Sequence, residues 1–190
     1  MALRVALLRS MVVNGRRVTG EDVRKLVEAV GGTEARSVLA TGNAVFRSSK
    51  SGAALTRELE AACAERFGKP TEVIVKTEAQ WRTLVAANPF KAHAKKTPNR
   101  VLAWVMRSPV TATGLAQLRR RADASEKIRR VAGGNFYIYF GRPNRDDTKL
   151  VAGFGLKALG AVGTNRTWTT VSKITDALDE LKAYRASPAR

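Results

Sequence analysis

The chain has 190 residues, with 34 lysines and arginines against 16 acidic residues and a formal net charge of +18. A hydrophobic fraction of 44% beside 26% charged residues is that of an ordinary globular fold, and no apolar run approaches the roughly 18–20 residues that cross a bilayer. The lone cysteine, Cys63, excludes an intramolecular disulfide and any cysteine-based metal site.

Residues 3–8 are apolar on both faces and predict a central strand. The opening stretch is too short and too interrupted by arginine for a secretory signal, which with the single cysteine points to the cytoplasm. Thr19 precedes a helix whose apolar stripe is Val23, Leu26, Val27 and Val30, closed by Gly31-Gly32. Gly42-Asn43 then lies between two apolar runs. Such a step is a hairpin signal, because both residues tolerate the positive φ of a tight reversal. Leu55, Leu59, Ala62, Cys63 and Phe67 make a second stripe, and residues 72–76 predict a strand. The order is β-α-β-β-α-β, the ferredoxin-like arrangement.

Thr77 and Gln80 form a capping box for a helix that buries Trp81, Leu84 and Val85 and is broken by Asn88-Pro89. Residues 91–99 are polar, basic and contain Pro98, so they read as a linker, with His93 as a solvated loop residue. After residue 100 the order repeats. A strand over 101–106, a helix over 114–122, a hairpin at Gly134-Asn135 and a helix over 147–159 follow one another, and a last strand would have to come from 161–168. A closing helix carries Val171, Ile174, Leu178 and Leu181. Asn43 and Asn135 lie 92 residues apart, close to half the chain. The expected fold is α+β: two tandem ferredoxin-like (βαββαβ-type) modules with an added C-terminal helix. The expected division is a first module over 1–76, a helix and linker over 77–99, and a second module with the helix over 100–190.

Little in the chain carries chemistry. No His/Cys/Asp/Glu cluster has metal-ligand spacing, and no phosphate loop of the Gly-x-x-x-x-Gly-Lys type occurs. Gly153, Gly155 and Gly160 fall in a helical stretch as packing residues, and Asp146-Asp147 reads as a cap. No cofactor is expected. The net charge suggests attraction to polyanions, nucleic acid first. Yet 17 basic residues fall in 1–98 and 17 in 99–190, so no dedicated basic arm is visible.

Two helix starts stand out, one at residues 145–150 with Thr148 and Lys149, the other at residues 163–173. The second gathers Arg166, Trp168, Thr170 and Lys173 around a helix N-terminus whose free N–H groups suit a phosphate or carboxylate. The plainer reading has Thr169 or Thr170 capping the helix, Trp168 in the core and Arg166 in solvent. Tyr137 and Tyr139 share a strand face, as base-stacking aromatics do in RNA-recognition modules, but cross-strand packing explains them as well.

Residues 6–9, 41–46, 88–90, 137–140, 148–150 and 164–171 resemble, in order, the successive signatures of the bacterial domain-of-unknown-function 1697 family. The resemblance implies tandem ferredoxin-like halves and no established activity. Arg9, Asn43, Lys149, Arg166, Trp168 and Lys173 match family-like positions and are candidates for a shared surface. Residues 10–15 depart from the family's Gly-Ile-Asn-Val-Gly-Gly-like turn, so a ligand held there by the backbone would meet a modified site. The leading expectation is a non-enzymatic protein that binds nucleic acid or a small anionic ligand through Arg9, Asn43, Thr148, Lys149, Arg166, Trp168, Thr170 and Lys173. An enzyme using Lys149 or Lys173 with Arg166 as clamp is the rival, and a structural or interaction module is the third reading. No membrane partner is expected, and the sequence leaves the oligomeric state open.

Overall fold

The apolar opening run forms β1 (Ala2–Leu8), which lies inside a four-stranded antiparallel sheet whose strands run in the order 33–37, 43–48, 2–8 and 73–77. A computed structural model of the chain describes residues 1–10, 12–39, 42–143, 148, 150 and 159–184. The chain divides into two compact units, residues 1–82 with 172–190 and residues 83–171. The division follows packing rather than chain order, and it cuts the C-terminal helix that the sequence places wholly with the second module.

In the first unit, β1 is followed by a miniature hairpin, β2 (Val12–Val13) and β3 (Arg16–Arg17). Asn14 and Gly15 both take positive φ, 51° and 74°, at its tip. Helix α1 (Gly20–Ala29) is opened by Thr19, whose hydroxyl accepts the Asp22 N–H while the Asp22 carboxylate accepts the Thr19 N–H. Its stripe packs with that of α2 (Gly52–Phe67), and Val23, Leu26, Val27, Leu55, Leu59, Cys63 and Phe67 form the core with Ala6, Leu8, Ala44 and Phe46 of the sheet. β4 (Thr33–Ser37), β5 (Asn43–Ser48) and β6 (Val73–Thr77) complete the sheet. β5 and β6 flank β1, both antiparallel.

The expected β4–β5 reversal is present, but its chemistry differs from the sequence reading. The turn is longer than two residues, and positive φ falls on Leu39 and Gly42. Asn43 is the first residue of β5 and is fully buried, and its Nδ2 donates to the Val38 carbonyl at 3.0 Å. It ties the loop rather than turning it.

Helix α3 (Glu78–Ala86) begins at the capping box foreseen, with Gln80 Oε1 accepting the Thr77 N–H and Thr77 Oγ1 accepting the Gln80 N–H. Residues 91–99 are not an irregular linker. They form α4 (Lys91–Lys96) and a 3-10 turn at Pro98–Arg100. Buried Ala94 and the His93 ring, stacked on Tyr139 with centroids 3.8 Å apart, give this polar segment a packed face.

The second unit holds β7 (Val101–Met106), α5 (Ala112–Arg121), β8 (Lys127–Arg130), β9 (Phe136–Tyr139) and β10 (Gly163–Thr167), with antiparallel order β10-β7-β9-β8. Leu102, Trp104, Met106, Phe136 and Ile138 face α5 and pack on Leu115 and Leu118. Between β8 and β9 the turn again departs from a Gly-Asn reversal. Gly133 and Gly134 hold the positive φ, while Asn135 is extended and accepts the Met106 N–H at 2.9 Å through Oδ1. Gly160 takes φ +66° outside any helix, with no room for a Cβ against Thr111, which corrects its helical reading. The expected helix over 147–159, with Asp146, Asp147, Gly153 and Gly155, lies for the most part outside the described residues. Helix α6 (Trp168–Tyr184) closes the chain, with Val171, Ile174, Leu178 and Leu181 buried.

Candidate functional site

The sequence-predicted residues do not form one cluster. Arg9 follows β1, its N–H donating to the Glu72 carbonyl and its guanidinium paired with the Glu72 carboxylate at 2.6 Å. Asn43 is committed to the loop it ties. Thr148 is buried, and Lys149 lies outside the described residues. Lys173 is exposed on α6. No pocket or buried partner encloses it there among the described residues.

Arg166 corrects both expectations made for it. It is half-buried on β10, and its Nη1 donates to Thr164 Oγ1 at 2.8 Å and to the Asn165 carbonyl at 2.7 Å. Burial pulls its guanidinium down to about 10. Successive strand residues point to opposite faces, so Arg166 and Thr167 are directed apart. Arg166 is neither a solvated side chain nor a clamp at the helix start.

That start is nonetheless ordered by its own side chains. Thr167, rather than Thr169 or Thr170, caps α6, its Oγ1 accepting the Thr170 N–H at 3.3 Å. Thr170 Oγ1 lies 3.1 Å from Thr167 Oγ1, and Thr169 Oγ1 donates to Asn99 Oδ1 at 2.7 Å. Trp168 is half-buried, its ring 6.4 Å from that of Tyr137. Thr167 lines a groove of about 550 Å³ whose other walls are the segment Lys96, Thr97, Pro98, Asn99 and Arg100, and Pro143. The groove therefore brings two cations, an amide and two hydroxyls to the positive end of a 17-residue helix. The first N–H groups of any α-helix have no acceptor inside it, so the place suits a phosphate or carboxylate.

Lys96, Asn99 and Arg100 were missed in the sequence because their stretch read as a connector. The signal available was the Pro98 step immediately before the apolar strand at 101, which fixes the segment against the sheet. Arg100 is held by its main chain, its carbonyl accepting the Phe140 N–H at 2.9 Å, and Nη1 reaches the Gly141 carbonyl at 3.3 Å.

The tyrosine pair resolves into two different fates. Tyr137 is fully buried and donates its hydroxyl to the Leu84 carbonyl at 2.8 Å, and burial raises the phenol far above its ordinary value. Tyr139 is half-buried beneath His93, with Lys127 Nζ 6.0 Å from its ring centroid. Among the described residues no group of three or more His, Cys, Asp or Glu side chains could hold a metal ion, and no helix is long and apolar enough to cross a membrane.

Comparison with known proteins supplies a fold and a family. A solved structure described as conserved bacterial protein SP0830 from Streptococcus pneumoniae is similar over 94% of this chain and 99% of its own, with a TM-score of 0.73 and 18% identity. No curated protein matches the chain. A family model described as "Protein of unknown function (DUF1697)" matches residues 1–137. The signatures at residues 6–9, 41–46 and 88–90 fall inside that match, and the helix start at 164–171 lies beyond it. By that match, the chain belongs to the DUF1697 family.

Proposed function

We propose that this protein is a non-enzymatic binder of an anion, held in the groove at the start of α6 by Lys96 and Arg100 with Asn99 and Thr167. The observation that carries this reading is the convergence of two cations and three neutral hydrogen-bonding side chains, Thr97, Asn99 and Thr167, on the N-terminal end of a long helix. A phosphorylated small molecule and a nucleic-acid phosphate present the same chemistry to such a groove. A cytoplasmic location belongs to this reading and rests on cysteine usage alone.

We also infer that the architecture is a duplication of one ferredoxin-like module. Each sheet places its first and third long strands side by side, with the fourth on the other flank of the first. Residue correspondences support this. Asn43 and Asn135 both tie the loop before the third strand. Arg9 and Arg107 both donate their N–H to the residue before the fourth strand, at the Glu72 and Val162 carbonyls. Lys76 opposite Val5 holds the register that Arg166 holds opposite Ala103, and burial lowers both cations.

Calorimetric titration with a nucleoside monophosphate and with pyrophosphate tests the groove. Saturable binding that is lost in K96A/R100A is expected. Binding that survives this double substitution places the anion elsewhere.

A further inference from the structure

Divided by packing, the charge of this chain is not even. Residues 83–171 hold 16 lysines and arginines against four acidic residues, Asp123, Glu126, Asp146 and Asp147, whereas the other unit holds 18 against 12. In the first unit the cations meet acids: Arg66 and Arg16 on Asp22, Arg47 on Glu34, Lys50 on Glu58, Arg82 on Glu78 and Asp179. In the second unit four carboxylates cannot match sixteen cations one to one. The excess makes residues 83–171 a polyanion-facing body.

The excess is also arranged. Lys96 ends α4 and lines the groove, and His93, one helical turn earlier, stacks on Tyr139. Tyr139 pairs with Val101 on one side, directly after Arg100 of the groove, and with Lys127 on the other. Lys127 and Arg129 lie on the same face of β8, an edge strand, and both are exposed. Two inter-strand spacings, about 10 Å, therefore carry a path from the groove past a half-exposed aromatic stack to a second pair of cations. A single small phosphate fills the groove and leaves the rest of this path unused.

Resting on the groove reading above, we propose that the ligand is a single-stranded nucleic acid. One phosphate sits in the groove, a base lies against the His93–Tyr139 stack, and the following phosphates meet Lys127 and Arg129. A lipid surface fits less well. The large exposed apolar side chains among the described residues are Met1, Val12, Leu39 and Tyr184, all outside residues 83–171, so no described side chain of this kind accompanies the charge toward a bilayer.

The test titrates the full chain with a labelled single strand of about 12 nucleotides, within the usual site sizes, and with a nucleoside monophosphate, across a salt series. The strand is expected to bind at least tenfold more tightly than the monophosphate. K127A/R129A is expected to lower the slope of log affinity against log salt by about 1.4, two contacts at roughly 0.7 each. R17A/R24A, an equal loss of exposed charge in the first unit, is expected to leave that slope unchanged. The proposal is overturned if the strand gains nothing over the monophosphate, if both double variants change the slope equally or not at all, or if only anionic phospholipid vesicles are bound. Monophosphate binding that persists in those cases and is lost in K96A/R100A leaves the groove reading standing. Loss of both readings follows if neither probe binds.

Discussion

Asp22 shows how much a single side chain settles in the first unit. It is almost fully buried, caps α1 through Thr19, and receives the guanidinium groups of Arg66 and Arg16. Burial alone would raise its pKa. The Thr19 backbone N–H, the Arg66 guanidinium and the Thr19 hydroxyl outweigh that and hold the carboxyl at about 2. A carboxylate depressed on folding contributes stability that is complete above its unfolded value near 4 and is lost as pH falls through 2. The wild-type chain is therefore expected to lose about 2 kcal/mol from this site between pH 4 and pH 2. In D22N, chemical unfolding from pH 7 down to pH 2 should show a lower stability at pH 7 and a shallower dependence between pH 4 and pH 2. An unchanged acid limb would remove Asp22 from this role. Asn135 is a second such residue. N135A removes the acceptor 2.9 Å from the buried Met106 N–H and the donor to the Ala132 carbonyl, and is expected to cost about 1–3 kcal/mol by urea unfolding.

At the scale of elements, the amphipathic helices were legible because α1, α2 and α6 each carry a helical-period stripe that the core needs. β1 and β7 were legible for a related reason, since both of their faces are apolar. Reversals were read less well. The Gly-Asn steps marked the two main hairpins correctly, but the asparagines turned out to be extended, buried ties, a role set by tertiary hydrogen bonds that no dipeptide reveals. Asn14-Gly15 is the stronger hairpin dipeptide, but its flanking strands of two residues each carry too little apolar pattern to mark it. The two kinds of turn should respond differently to alanine. At Gly15 a Cβ meets open space, so G15A is expected to cost about 1 kcal/mol of backbone strain. At Gly134 the same φ is joined by a Cβ placed against Pro109, and G134A is expected to cost roughly 3 kcal/mol. Thermal unfolding of the pair separates strain from collision. Equal losses would contradict the close approach at Pro109. Segment α4 was hidden for another reason. Its polar composition satisfies a solvated connector, and the ring stack that fixes it joins residues 46 positions apart.

For the whole molecule, the charge is evenly spread only when the chain is divided at its midpoint. The packed units cut it elsewhere, because α6 returns to the first unit with Asp176, Asp179 and Glu180, and the basic excess concentrates in residues 83–171. The candidate site was half legible on the same grounds. The helix start at 163–173 was identified, while the residues chosen on it, Arg166 and Lys173, proved to be a half-buried strand side chain and an exposed helix one. The groove draws its cations from a segment some 70 residues earlier in the chain, and only the fold brings Asn99 to Thr169. The most direct measurement is an NMR titration of ¹⁵N-labelled protein with a nucleoside monophosphate. Saturable shifts at Asn99, Arg100 and Thr167–Thr170 that vanish in K96A/R100A are the predicted result. Shifts confined to residues 1–82, or none at all, would contradict an anion site at the start of α6.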